Sequence, residues 1–109
     1  MLDSLDAVAA SPEHHKVLFE NDQVRVLEVL IRPGEETNVH THIWGGPLHV
    51  LSWSDFIRYD ADGNVTAKST PGAPSLQPGA VVWADPLPAH SFKNTGDRDV
   101  HLILTELKR

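Results

Sequence analysis

Histidine is the residue of this chain best suited to chemistry. The 109 residues include seven histidines and no cysteine, which leaves imidazole as the only soft metal ligand available. His40 and His42 stand two residues apart on a predicted strand, so their side chains point to one face about 7 Å apart. Two such imidazoles can share a metal ion, and His90 arrives from a separate predicted strand as a third direction. On the His-x-His pattern alone, surface or hydrogen-bonded histidines remain an open alternative.

Composition narrows the classes of partner. Nine Lys and Arg against fifteen Asp and Glu give a formal charge of −6, which argues against nucleic acid or an anionic membrane as a partner. No apolar run approaches the roughly 18 residues of a membrane span. The first three residues, Met1-Leu2-Asp3, include an acidic residue and no basic one, whereas a signal peptide begins with basic residues. We therefore expect a cytoplasmic protein that meets a small-molecule substrate or ligand.

Short segments rich in β-branched residues, separated by Pro, Gly, Asn and Asp, predict an all-β sandwich or barrel. The predicted strands lie at Val17–Phe19, 23–31, 39–42, within 48–59, and at 65–68, 81–83, 91–94 and 100–107. Leu2, Leu5 and Val8 follow a helical period that ends at Ser11-Pro12. The expected organisation is an N-terminal arm over residues 1–16 and a single domain over residues 17–109.

The spacing of glycine and histidine matches two known sequence motifs. Five residues separate Gly34 from His40, and one separates His40 from His42, as in the opening of the first cupin motif. Ten residues separate Gly79 from His90, and three separate His90 from Asn94, as in the second motif. From about Val17 to Leu107, the chain resembles the small single-domain cupins of the RmlC-like jelly-roll family.

This resemblance implies a double-stranded β-helix, or jelly-roll barrel, with one metal inside and a short helical segment at the N-terminus. By position, His40, His42 and His90 would be the metal ligands. Gly79 would form the turn before the second-motif strand, and Asn94 would close the motif.

The chain also departs from the family pattern. Cupins usually carry a glutamate ligand just beyond the second histidine, where this sequence has Gly46 and Pro47. In the second motif, Asp85 and Leu87 replace the usual proline and glycine. The resemblance therefore implies three histidines without the fourth ligand at its usual place.

His49 is the sequence-based candidate to take over part of the missing glutamate's role. From Leu48 onward the odd positions are the bulkier apolar set, so we expect them to face the barrel interior. His49 would then point inward as a fourth ligand, a hydrogen-bonding neighbour of the ligands or a catalytic acid–base group. A histidine at the barrel rim is the alternative.

The remaining polar candidates have plainer interpretations. Glu28 and His101 are expected to face outward from apolar strands, and Asp85 is expected to lie in a turn, although a hydrogen bond to a ligand histidine is the alternative. The adjacent His14 and His15 are expected to be solvated. Both faces of the 48–59 segment are apolar, which predicts a homodimer through an outer sheet face.

Three neutral imidazoles leave a divalent ion its full charge and open positions for a chelating anion. The resemblance implies a mononuclear non-haem metal enzyme, dioxygenase-like or related, that acts on a small oxygenated metabolite. Iron is the favoured cofactor, with Ni, Zn, Cu, Co or Mn as alternatives. A non-catalytic cupin that binds a metal or small molecule, as a sensor or accessory protein, and a structural dimer are the competing hypotheses.

Overall fold

Antiparallel strands account for most of the chain in the computed structural model, which describes residues 3–70 and 75–108. The elements are α1 (Ala7–Ala10), β1 (His15–Glu20), β2 (Val24–Ile31), β3 (His40–His42), β4 (Gly46–Ser52), β5 (Phe56–Asp60), β6 (Val65–Lys68), β7 (Val81–Ala84), β8 (Leu87–Asn94) and β9 (Val100–Leu107). Leu2, the first residue of the predicted helical period, lies outside the described residues. The one-turn helix begins after Asp6, whose carboxylate accepts a hydrogen bond from Val8 N.

The strands form two facing sheets. One sheet has the order β1-β2-β9-β4-β7 and the other the order β3-β8-β5-β6. Strands that are consecutive in the sequence often belong to different sheets. For example, β4 lies in the five-stranded sheet, whereas β3 and β5 lie in the four-stranded sheet. Strands β5 and β6 pair as an antiparallel hairpin. The prediction of an all-β jelly-roll fold is confirmed.

The apolar core lies against the inner faces of β2 and β9. Every second residue of each strand is buried, and the two strands pair along their full length. The inward side chains form one apolar cluster with those of β4, namely Val29, Ile31, Val50, Val100 and Leu102. Burial of such side chains contributes about 1.5–3 kcal/mol each. The cluster fills one end of the barrel and leaves the other end to polar groups.

The expected orientation of β4 is wrong. Val50 is fully buried, whereas Leu51 is exposed, so the even positions face inward. The cause is the register with β9, which places Leu48 opposite Leu104 and Val50 opposite Leu102, both inward-facing. Side-chain bulk was misleading because the outer face of this sheet is also apolar.

The N-terminal arm packs on the barrel. Asp6, Ala7 and Ser11 are buried, and Thr41 N in β3 donates a hydrogen bond to the Leu5 carbonyl at 2.7 Å. Strand β1 begins at His15, two residues before the predicted domain boundary. Within the described ranges, the structure contains no helix long and apolar enough to cross a membrane.

Candidate metal centre

Four buried histidines meet at the polar end of the barrel interior. The exposed fractions are 2% for His40, 4% for His15, 6% for His90 and 8% for His42. The ring centre of His40 lies 4.6 Å from that of His15, 5.0 Å from that of His42 and 4.3 Å from that of His90. The ring centre of His42 lies 5.4 Å from His15 and 5.7 Å from His90. The four imidazoles therefore form one cluster.

Three strands position these rings. His40 lies directly opposite His90 where β3 pairs with β8. His42 follows an irregularity in that register, opposite Leu87. His15 comes from the other sheet, where it begins β1 opposite Val29, whose side chain faces inward. The site thus bridges the two sheets.

Hydrogen bonds set the same tautomer in all four rings. The Nδ1 atoms of His40, His90 and His15 lie 2.7, 2.7 and 2.9 Å from the carbonyl oxygens of Asn38, Pro88 and Ser11. His42 Nδ1 lies 3.2 Å from a carboxylate oxygen of Glu106. Because these oxygens can only accept, each Nδ1 must carry the hydrogen. The Nε2 lone pair of each neutral ring is then free for a metal ion.

Burial keeps three of the four rings neutral. It lowers the pKa of His40 to about 3 and those of His15 and His90 to about 4, with repulsion among the histidines as a lesser cause. A neutral imidazole is the form that binds metal. Protons therefore do not compete with a metal ion for the nitrogens of these three candidate ligands at pH 7.

The donor set fits a divalent transition metal. When an imidazole nitrogen lies about 2.1 Å from a metal ion, the ring centre lies about 3.2 Å from the ion. Two rings whose bonds to the ion make an angle of about 90° to 109° then have their centres about 4.5–5.2 Å apart. The observed separations of 4.3–5.7 Å bracket that range. One nitrogen each from His15, His40 and His42 lie within 4.8 Å of one another. His90 is not part of this group of three, although its ring centre lies 4.3 Å from that of His40.

The sequence predicted three of these four residues. His40, His42 and His90 come together as expected, and their role as ligands stays a prediction. The expectation that His14 and His15 are solvated is wrong, since both are buried. His14 lies apart from the cluster and contacts Ser11 Oγ and Glu35. A predicted β1 that began two residues before Val17 would have placed His15 on the same face as Val17, which pairs with the buried Leu27.

The local geometry explains why no glutamate follows the second histidine. Gly46 is buried beside β9, and a Cβ at this position would overlap the carbonyl oxygen of Thr105. No side chain fits at Gly46, and Pro47 faces outward. The fourth ring of the cluster, that of His15, comes from β1 instead.

A buried ionic network supports the cluster from behind. Glu106 is fully buried, and its second carboxylate oxygen accepts a hydrogen bond from Arg25 Nε at 2.6 Å. Arg25 also donates to both oxygens of Asp6, at 2.8 and 2.9 Å. Burial raises the pKa of Asp6, but the hydrogen bonds and charge of Arg25 outweigh it and leave the pKa below its usual value. The network ties the N-terminal arm to His42.

Sequence reasoning missed this network although a signal was present. Arg25 and Glu106 continue the buried alternation of β2 and β9 and lie directly opposite each other. Two opposite charges on inward positions of paired strands indicate a buried ion pair.

A cavity of about 370 Å³ adjoins the histidine cluster. Its wall includes the four histidines, apolar side chains such as Phe92 and Leu102, and the guanidinium-bearing Arg58. Asp85 also lines it, but is exposed and accepts a hydrogen bond from the Trp83 indole at 3.0 Å. Asp85 thus belongs to the turn rather than to a ligand histidine. The cavity is large enough for a small metabolite.

His49 does not contribute to this site. It is exposed on the outward face of β4 and is absent from the cavity wall. The predicted inward orientation is wrong for the reason given for β4, and no acid–base role in the cavity follows for this residue.

The other predicted residues have structural roles. Gly79 has φ +91°, a backbone conformation that side chains disfavour, in the turn before β7. Asn94 is fully buried and donates to the carbonyls of Ile31 and Arg98. His101 and Glu28 face outward as expected, and pair at 2.8 Å.

Solved structures of cupins are similar to this one over most of its length. A cupin domain from Bordetella pertussis Tohama I superposes with a TM-score of 0.68 at 22% identity, covering 87% of this chain and 92% of that one. An RmlC-like cupin family protein from Methanocaldococcus jannaschii gives 0.59 at 11% identity, covering 85% and 77%. The polyketide cyclase RemF from Streptomyces resistomycificus gives 0.57 at 17% identity, covering 94% and 71%.

At these identities the likeness shows the fold alone. No protein-family model matches the sequence, and no curated protein matches it either. The chain is a small domain of cupin fold, as its motifs predicted.

Proposed function

We propose that this protein binds one divalent transition metal ion through His15, His40, His42 and His90 and acts as a mononuclear metal enzyme on a small oxygenated metabolite. The observation that carries the proposal is the common tautomer of the four buried rings, whose Nδ1 atoms are all engaged by acceptors. Each Nε2 is left free beside a cavity of about 370 Å³.

Different residues of the site have different roles in this proposal. The histidines would hold the ion, Glu106 orients His42 through Nδ1, and apolar side chains such as Phe92 and Leu102 form part of the cavity wall that would contact the substrate. When bound, the ion would supply Lewis-acid or redox chemistry to a chelating substrate. Iron with six ligand positions would keep two of them for substrate and is the metal that we favour, in a dioxygenase-like or related reaction.

The fourth histidine also favours a second candidate function. Zinc in a tetrahedral site with four protein ligands has no open position, which is typical of structural sites. A zinc-loaded form would then be a non-catalytic binding module. Metal identity decides between the two functions.

Metal analysis of matched variants tests the proposal. Wild-type protein, reconstituted separately with Fe(II), Zn(II) and Ni(II) and desalted, should retain close to one ion per chain by mass spectrometry. His15→Ala should bind metal about 10–100-fold more weakly, whereas the neighbouring His14→Ala should behave as wild type. Wild-type protein that retains none of the three metals would overturn the site, and unchanged binding by His15→Ala would reduce it to three histidines.

Turnover separates the two functions. Oxygen uptake by the Fe(II) form with small chelating acids and dicarbonyls supports the enzyme. A melting-temperature increase with such a compound, without turnover in any metal form, supports the binding module.

A further inference from the structure

Arg58 places a positive charge in the cavity wall. It lies at the centre of β5, directly opposite Phe92 of β8. Phe92 and His90 are two residues apart on β8, so Arg58, Phe92 and His90 share the sheet face that lines the cavity. Diagonal neighbours of this kind lie about 7–8 Å apart at the backbone, within reach of an arginine side chain.

Arg58 and the four clustered histidines line the same cavity of about 370 Å³. One small molecule in this cavity can therefore contact both the guanidinium and the cluster.

Nothing in the described residues neutralises this guanidinium. Within residues 3–70 and 75–108, the Arg58 side chain makes no hydrogen bond and no ion pair. Asp60, the acid on the same strand and face, accepts hydrogen bonds from Asp62 N and Asn64 N in the β5–β6 turn. Arg25, by contrast, is held by two carboxylates.

Arg58 is half-buried, and its guanidinium nitrogens keep contact with solvent, so a ligand in the cavity can reach them. The other basic residue of this strand pair, Lys68, is exposed on β6. Arg58 therefore differs from an ordinary surface cation in both its position and its surroundings.

We propose that Arg58 is a carboxylate-binding subsite, so that the substrates are small organic acids with a carboxylate at one end and metal-chelating oxygens at the other. The part of this proposal that concerns the chelating oxygens depends on the proposed metal site. The part that concerns the carboxylate depends only on Arg58. A planar guanidinium binds a carboxylate through two parallel hydrogen bonds. A single guanidinium matches a carboxylate better than a phosphate dianion, which normally recruits several donors.

Titration of dicarboxylates into the purified protein tests the subsite. Malonate, succinate and glutarate vary the chain length, and succinamate replaces one carboxylate of succinate by an uncharged amide. Isothermal calorimetry is performed on metal-free and metal-loaded protein, for wild type, Arg58→Gln, Arg58→Lys and Lys68→Gln. Lys68→Gln removes the same charge from the neighbouring strand outside the cavity, and Arg58→Lys keeps the charge but loses the planar fork.

The expected result is binding of at least one dicarboxylate that Arg58→Gln weakens about 10–100-fold. Lys68→Gln should leave the affinity unchanged, and Arg58→Lys should fall between wild type and Arg58→Gln. Three outcomes would overturn the proposal: no binding of any dicarboxylate to wild type, equal affinity in wild type and Arg58→Gln, or tighter binding of inorganic phosphate than of the best carboxylate. Equal binding of succinate and succinamate to metal-free protein would also contradict it.

This experiment distinguishes failure of the metal-site proposal from failure of the Arg58 subsite proposal. If the metal site is absent, metal-free wild type still binds the dicarboxylate in an Arg58-dependent way. If the subsite is absent, metal retention is unchanged and Arg58→Gln has no effect on either form. Arg58→Lys keeps the test valid if Arg58→Gln does not fold.

Discussion

The carboxylate of Glu106 lies directly behind His42 and fixes its ring. One oxygen accepts a hydrogen bond from His42 Nδ1 at 3.2 Å, and the other accepts from Arg25 Nε at 2.6 Å. The family glutamate that would bind the metal is missing from the first motif, and here a glutamate instead orients a candidate ligand histidine. This arrangement fixes the direction and the tautomer of the ring.

Substitution Glu106→Gln should weaken both stability and metal binding. A glutamine has one acceptor oxygen, so it cannot serve Arg25 and His42 together, and it brings an N–H₂ group into a site made for an acceptor. The free energy of unfolding should fall by about 1.5–3 kcal/mol, and metal affinity about 10–100-fold. Denaturant unfolding and metal titration measure the two effects.

Glu28→Gln is the matched control for that variant. Glu28 lies on the outer face of the same sheet, half-exposed, where it pairs with His101. Its loss should cost less than about 1 kcal/mol and leave metal affinity unchanged. Equal effects from both variants would show that Glu106 does not act through His42.

The metal-free protein should lose stability as the pH falls from about 6.5 to about 4. The folded pKa values of His15, His40 and His90 lie at about 4, 3 and 4, below the unfolded value of 6.5. In this window the unfolded chain therefore binds more protons than the native state, and stability decreases with falling pH. Denaturant unfolding in the presence of a chelator, at intervals from pH 7.5 to pH 4, measures it.

Replacing His15 by Asn should make this pH dependence shallower, because one of the three groups is gone. The lowered pKa of Asp6 belongs to a different window. The stability that comes from its pairing with Arg25 is fully present above pH 3.8, the ordinary pKa of an aspartate, and is lost only as the pH falls below that value. A flat stability profile from pH 6.5 to pH 4.5 would refute the assignment of neutral, buried histidines.

Substitution Gly46→Ala should destabilise the fold, because the added Cβ would overlap the carbonyl oxygen of Thr105 and force β4 and β9 apart. We expect a loss of about 1–3 kcal/mol. Pro47→Ala, at the adjacent exposed position, is the control for the strand. A stable Gly46→Glu variant with altered metal affinity would contradict the steric explanation of the missing glutamate.

The homodimer expected from the sequence remains a proposal, and the outer face of the five-stranded sheet is its place. Val81 and Trp83 on β7 are 61% and 56% exposed, and Phe19 on β1 is 55% exposed. Light scattering should give twice the mass of the chain at micromolar concentration, and Val81→Lys should shift the mass toward the monomer. A monomeric wild type would end this proposal.

Local sequence patterns predicted the all-β fold and three of the four clustered histidines. Turn residues at regular intervals set the strand lengths, and His40, His42 and His90 lie in motifs whose spacing is fixed by the barrel. These are local properties, because a strand's alternation and a turn's glycine depend on residues within a few positions.

Which strand faces meet inside the barrel could not be predicted from local patterns. The orientation of β4 depended on its register with β9, since both of its faces are apolar, and bulk therefore assigned His49 to the wrong side. His15 became a candidate ligand because β1 joins the opposite sheet edge and brings it within 4.6 Å of the His40 ring. Arg58 entered the cavity through its pairing with Phe92. Contacts between strands far apart in the chain depend on register and closure, which local sequence patterns do not encode.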